Sequence, residues 1–378
     1  MGLKGHWYRG GTSKCWLFDA RDVALHAPTR EEIPALLSAA FGAADARQLD
    51  GVGGGTSTTS KAAVIWATPG AEADLDYLFA QVGIGDPTVE LGSNCGNCAT
   101  AIALFAVQTG VVAARDGMTK VRMRHVTSGA VLTGTVPTPG GRIPKSGLAR
   151  VPGSSAAGVP VNLSFHSPWG KNTGALLPTG NTVDQLEVNG RTLSATMVDA
   201  GAPAVLVSAG DAGVDLSSMT DSLTGHLPTL IAARASAGLT MGLRKPGDPP
   251  QNAVPKVGVV APAGDYIAAD GTTITADSHD VRVRMLSMLA PHPAIGLTSA
   301  VAVALAASLE SSVVANAAGP SPSTGTLRVL RIGTPAGVIT ADIVSDDTGT
   351  VSEVALHRAA RHIATADIDV APATELSA

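Results

Sequence analysis

Two alanine-rich apolar segments, one in each half of the chain, constrain this sequence more than any other feature. One runs Cys98–Gln108 and stops at Gly110; the other runs Leu297–Leu309. Both are apolar on nearly every side, so a helix formed by either has no face to give to water and must be enclosed. Their small residues let other elements approach closely. Turn chemistry precedes each, at Gly92-Ser93-Asn94 and at Pro293-Ala294-Ile295-Gly296.

The surroundings of the two segments match. A lysine-led apolar strand comes before each, Lys61–Trp66 and Lys256–Val260. A basic strand comes after each, Val121–Val126 and Leu327–Ile332, followed by Thr127-Ser128-Gly129 and by Thr334-Pro335-Ala336-Gly337, and then by a further valine-rich strand. Near the start of each half a glycine turn leads into a strand: Arg9-Gly10-Gly11 before Trp16–Phe18, and Asp199-Ala200-Gly201 before Ala204–Val207. Coincidence among common strand patterns is the plain alternative. The shared order favours a duplication, giving two pseudo-symmetric α+β domains, residues 1–178 and 179–378, each wrapping strands around one apolar helix. Pro137–Gly141 and Gly247–Gln251 read as loops, and Thr179–Asn189 as the crossover between halves.

Composition narrows the function classes. The 378 residues carry a net charge of −5 and are 45% hydrophobic and 15% charged, which supports a large core and lacks the basic footprint of a nucleic-acid binder. Aromatic residues are only 3% of the chain, too few for base-stacking or sugar-stacking platforms. Three cysteines cannot build a disulfide framework. The N-terminus lacks the apolar stretch of a signal peptide, and the apolar runs stop short of the roughly 20 residues of a membrane span. The expectation is a cytoplasmic protein with no nucleic-acid or membrane partner.

The sharpest local signal is Gly92-Ser93-Asn94-Cys95-Gly96-Asn97-Cys98, which opens the first apolar segment. Free N–H groups and the helix dipole at such a start favour an anion. Cys95, in the turn, is therefore expected to have its thiolate stabilised and its pKa lowered, whereas Cys98, one helical turn deeper, is expected to be an inert buried thiol. Cys95-x-x-Cys98 also matches half a zinc or redox motif, but Cys15 is the only other cysteine and no histidine lies near in sequence. A second signal is Gly53–Ser60 followed by Lys61, a glycine- and hydroxyl-rich run ending in a lysine that enters an apolar strand. The spacing is not that of a phosphate-binding loop, and no helix follows. Partial desolvation of Lys61 would lower its pKa toward that of a working base; a solvated strand-end lysine is the alternative. A third signal is Arg9-Gly10-Gly11-Thr12-Ser13-Lys14, whose hydroxyls, cations and backbone N–H groups suit a carboxylate.

Taken together, Arg9–Lys14, the glycine run ending at Lys61, and Asn94-Cys95-Gly96-Asn97 resemble the PrpF family of the diaminopimelate-epimerase-like superfamily. Asp199-Ala200-Gly201 with Pro203, Met241-Gly242-Leu243, Pro255-Lys256, His292 before Thr298, and Arg358 with Arg361 add to the resemblance, which covers nearly the whole chain. Three positions depart from the family's usual pattern: Cys15 where glycine is common, Cys98 where an apolar residue is common, and Thr334-Pro335-Ala336-Gly337 where His-Pro-Ser-Gly is common.

The resemblance implies strongly curved sheets around each central helix, a last segment that returns to the first domain, no metal or organic cofactor, and a small unsaturated polycarboxylate as partner; a homodimer stays open. The superfamily's racemases use one cysteine from each half. Here the second helix opens Gly296-Leu297-Thr298-Ser299 and offers none. Lys61 and Cys95 are instead two dissimilar acid/base groups, which suits a 1,3-proton shift that moves a C=C bond; the resemblance also implies cis–trans isomerisation as the other form of the reaction. An amino-acid racemase or epimerase and a non-catalytic binding protein on the same scaffold are the alternatives. The expected substrate-binding residues are Thr12, Ser13, Lys14, Ser60, Asn94, Gly96, Asn97, His292 and Thr298, with a carboxylate expected between the N-termini of the two central helices.

Overall fold

A computed structural model describes residues 2–70, 72–92, 95–217, 220–248, 252–320, 323–324 and 326–370. The protein is of the α+β class, a mixed sheet with few helices. It divides into two compact units, Met1–Ser164 with Arg358–Ala378, and Phe165–His357. This boundary lies earlier than the expected 178/179. Residues beyond it fold back onto Asp199, whose carboxylate accepts hydrogen bonds from the Asn172 and Thr173 N–H groups at 2.7 Å each. Residues 184–188, expected in the crossover, form a strand of the second unit.

In the first unit β1 (Leu3–Gly10) and β2 (Ser13–Asp19) form a hairpin. β2 runs parallel to β3 (Lys61–Ala67), which pairs antiparallel with β4 (Leu75–Val82). β4 runs parallel to β5 (Gly117–His125), which pairs antiparallel with β6 (Val131–Thr138). The strand β7 (Val159–His166) closes this stretch of chain. The C-terminal strand Val351–Ile368 returns to pair with β1, Leu3 opposite Ile368 and Gly10 opposite Ala360.

Strands β2 and β3 are buried on both faces, which explains their near-continuous apolar runs. Trp16, Phe18, Ala62 and Val64 pack with Leu37 and Phe41 of helix α1 (Ile33–Phe41). By strand alternation the residues between them, Cys15, Leu17 and Ala63, face helix α2 (Gly96–Gln108). Every residue of α2 from Cys98 to Val107 is buried. The small residues allow very close packing: a Cβ on Gly134 of β6 would lie 2.2 Å from that of Ala103.

The second unit repeats this succession. β8 (Asp184–Val188) and β9 (Arg191–Ala200) pair, and β9 forms a hairpin with β10 (Ala202–Ser208). β10 runs parallel to β11 (Lys256–Pro262), and β11 antiparallel to β12 (Val281–Ser287). β12 runs parallel to β13 (Leu327–Thr334), and β13 antiparallel to β14 (Gly337–Ser345). The first part of β15, the strand Val351–Ile368, pairs with β14. Helix α3 (Leu227–Thr240) covers one face of the sheet through Leu230, Ala233 and Ala237. Helix α4 (Leu297–Ser308) packs against β9, β10, β13 and β14. Among the described residues no helix is long and apolar enough to cross a membrane.

One device recurs in both units. The hairpin turn at Gly11 (φ +53°) lies so near α2 that a Cβ there would meet the Asn97 side chain at 2.1 Å. The turn at Gly201 (φ +63°) meets the Thr298 carbonyl in the first turn of α4 at 2.7 Å. Each glycine turn thus seats the N-terminus of its central helix, and only a residue without a side chain fits there.

Candidate active site

Helix α2 begins at Cys95, which caps it with extended backbone (φ −130°, ψ 105°). Cys95 is half-buried, while Cys98 and Cys15 are buried. The three thiols form a chain, Cys98 hydrogen-bonding to both Cys95 and Cys15. The expected lowering of the Cys95 pKa does not occur. Its hydrogen bond to Cys98, and then its burial, push it well above the ordinary thiol range; the charge of Lys61 and the Cys98 N–H pull the other way without prevailing. A helix dipole acting on one charge is worth about 0.3–1 kcal/mol, less than the penalty of ionising a buried thiol. Cys98 is pushed up as well, by burial first and then by its bond to Cys15. Both cysteines are thus held as thiols.

Lys61 opens β3, half-buried. Its Nζ donates to Gln81 Oε1 at 2.5 Å and lies 5.2 Å from the centre of the Phe79 ring. Gln81 stands directly opposite on β4, and its Nε2 donates to the Ser60 carbonyl at 3.0 Å. Gln81 therefore ties the lysine to the glycine-rich loop before it. Lys61 acts electrostatically on both Cys95 and Cys98, which places it at the start of α2.

Asn97, in the first turn of α2, joins three segments. Its Nδ2 donates to Thr12 Oγ1 at 3.1 Å and to Ser13 Oγ at 3.3 Å, and its Oδ1 accepts from Arg358 Nη2 at 2.9 Å. Arg358 is 8% exposed. Burial holds its pKa down to about 10, and the neighbouring Arg9 adds to the fall. Lys61, Cys95, Gly96, Asn97, Thr12 and Ser13 therefore lie around one helix start.

Other expected residues are placed differently. The Lys14 ammonium lies 4.5 Å from the centre of the Trp7 ring, on the strand face shared with Trp16 and opposite to Ser13 and Cys15. Ser60 is fully buried and donates to Gln48 Oε1 at 2.6 Å, so it anchors the loop. Arg9 donates to the Gly11, Ala156 and Ala157 carbonyls, a structural use. Asn94 lies outside the described residues. His292 and Thr298 belong to the second unit. Thr298 stands in the first turn of α4. His292 accepts the Ala294 N–H at Nδ1 (3.0 Å), and burial lowers its pKa, with nearby Lys256 adding to the fall.

Sequence reading missed Gln81 and gave Arg358 no role. Gln81 is found only once the register of β3 against β4 is known. Arg358 reaches Asn97 across 261 residues of sequence, and no local pattern announces that contact.

A family model described as PrpF protein matches residues 3–371. The chain belongs to the PrpF family. Among its relatives, the 2-methyl-aconitate isomerase of Shewanella oneidensis is 34% identical over 376 residues, covering 93% of each chain. The (4E)-oxalomesaconate Delta-isomerase of a Novosphingobium species is 35% identical over 360 residues, covering 94% of each. The crystal structure of a methylitaconate-delta-isomerase superposes with a TM-score of 0.87 at 30% identity, over 97% of this chain and 95% of that one. The PrpF match takes in both units and every candidate residue named above.

Proposed function

We propose that this PrpF-family chain is a cytoplasmic, cofactor-independent isomerase that moves a C=C bond in a small unsaturated di- or tricarboxylic acid, of the aconitate, methylaconitate, itaconate or oxalomesaconate type. The protein is an isomerase acting on an unsaturated carboxylic acid. Each unit is a diaminopimelate-epimerase-like domain, the two related by duplication, and their central helices differ in the residue that matters. Cys95 caps α2 where Gly296 caps α4. That difference carries the reading: a racemase with a thiol for each face of its substrate needs both caps to be cysteine, whereas one thiol and one lysine suit a proton shift between two carbons.

In the mechanism Lys61 reacts as the neutral amine, takes the allylic proton beside the carboxylate-bearing double bond and becomes the ammonium. The electron pair spreads through a dienolate onto the carboxylate oxygens. Helix-opening N–H groups at Gly96 and Asn97 face a charge that grows along the reaction, and a well-aimed donor of this kind is worth about 3–4 kcal/mol. Cys95, held as a thiol, delivers a proton to the carbon two positions away. Exchange with solvent then returns the proton to Cys95 and removes the one on Lys61.

Proton NMR of a panel of alkene acids with the enzyme in deuterated water tests this. One acid should transpose its double bond and carry deuterium at the new allylic carbon. Label appearing at the α-carbon of a saturated amino acid would instead make the protein a racemase. Binding without turnover, unchanged after loss of Lys61 and Cys95, would make it a binding protein.

A further inference from the structure

We infer that Arg358 is a carboxylate-binding residue of this site, held by Asn97 so that its guanidinium takes one carboxylate of the substrate. The inference rests on the reading above that the substrate is a polycarboxylate. Its grounds are the surroundings of the side chain. Arg358 is more than nine-tenths buried, yet none of the ion pairs among the described residues includes it. Its Nη2 donates to the Asn97 amide oxygen, a neutral acceptor, and its Nε is buried with no hydrogen-bond partner. Removing a guanidinium from water without a carboxylate is costly, and folding gains little from it. Arg9 is also buried with an unpartnered Nε, and the contrast lies in its terminal nitrogens, which serve three backbone carbonyls that tie the β1–β2 turn to residues 156–157.

The position of Arg358 fits an anion of the substrate. Asn97 links it to the Thr12 and Ser13 hydroxyls and stands two residues after Cys95 in the same helix start. A carboxylate against this guanidinium would sit beside the groups that move protons. Its planar fork suits two carboxylate oxygens at once and fixes their plane. In an allylic proton shift the conjugated carboxylate and C=C lie in one plane and the breaking C–H bond must stand perpendicular to it, so Arg358, by fixing that plane, would orient the substrate as well as bind it.

Calorimetric titration of the full chain with tricarballylate, a saturated tricarboxylate that cannot transpose, reads this without turnover. Arg358→Met should weaken binding about 30-fold and Arg358→Lys about 10-fold, the loss expected for charge-assisted hydrogen bonds. The unfolding midpoint of the Met variant should stay level or rise, because an uncompensated buried charge is removed. Binding by Arg358→Met within about twofold of wild type would overturn the inference. So would a collapsed midpoint in the Met variant together with unchanged binding by the Lys variant, and so would wild-type protein that binds no tricarballylate. Wild-type protein that binds tricarballylate through Arg358 but transposes no alkene acid would refute the isomerase reading and leave the carboxylate site standing.

Discussion

Replacing Gly10 by alanine tests how the site is assembled. A Cβ at Gly10 would lie 1.9 Å from the Asn97 carbonyl oxygen and 3.0 Å from the Cβ and N of Ala101. Ordinary contact begins near 3.4 Å, so the hairpin and α2 must part by about 1.5 Å. Neither can yield by turning a side chain, because the obstacle is backbone and α2 is buried from Cys98 to Val107. Overpacking typically costs 1–3 kcal/mol, and this geometry points to the upper end, about 3 kcal/mol. At about 2–4 °C per kcal/mol for a unit of this size, the unfolding midpoint of Gly10→Ala should fall by about 6–12 °C. Gly225→Ala is the control: its Cβ meets nothing within 4 Å, and the midpoint should move by no more than about 2 °C. Activity of Gly10→Ala should fall as well, since Asn97 moves with the helix start. Scanning calorimetry on both variants decides it. A midpoint for Gly10→Ala equal to that of Gly225→Ala would refute the close approach on which the arrangement of Asn97, Thr12 and Ser13 depends.

Lys61→Ala should lower turnover of the responsive acid by about two to four decades in steady-state assays while leaving the protein folded, and near-full activity would remove Lys61 from the mechanism. A limiting alkylating agent should label Cys95 ahead of the buried Cys98 and Cys15, faster as pH rises because Cys95 is held as a thiol; mass-spectrometric mapping reads the order. Cys98→Ala removes the largest cause of that upward shift, so it should speed the labelling of Cys95, and slower labelling would contradict the thiol chain. Burial lowers the pKa of His125 and of His279 from 6.5, so each favours its neutral form in the folded state. The stability they contribute is fully present above pH 6.5 and lost as pH falls through their lower folded values. Midpoints measured from about pH 8 to pH 5 should stay level above 6.5 and decline below it, with a smaller decline in His125→Gln.

Local chemistry made part of this protein legible in its sequence. A segment apolar on every side, such as Cys98–Gln108 or Leu297–Leu309, can only be an enclosed helix, and α2 and α4 end within a residue of those segments. The lysine-led strands begin at Lys61 and Lys256 as read, because a cation at the end of an apolar run marks where the chain leaves solvent. The position of Cys95 at the helix start follows from turn residues that cannot continue inside a helix. These features depend on neighbours a few residues away, and sequence records such neighbours directly.

Only the tertiary structure decided the environment of those residues. Helix-start chemistry pointed to a lowered pKa at Cys95, and its hydrogen bond to Cys98, then its burial, reversed the direction. Lys14 was grouped with Thr12 and Ser13 by adjacency, but strand alternation turned it to the opposite face, onto Trp7. Ser60 stood next to Lys61 in sequence and spent its hydroxyl on Gln48. Arg358 came to Asn97 by way of a returning strand paired with β1, and Gln81 came to Lys61 by the register of β3 against β4. Burial, strand face and pairing register depend on segments far apart in the chain, and those dependences set the charge states and partners of the site that the sequence had located.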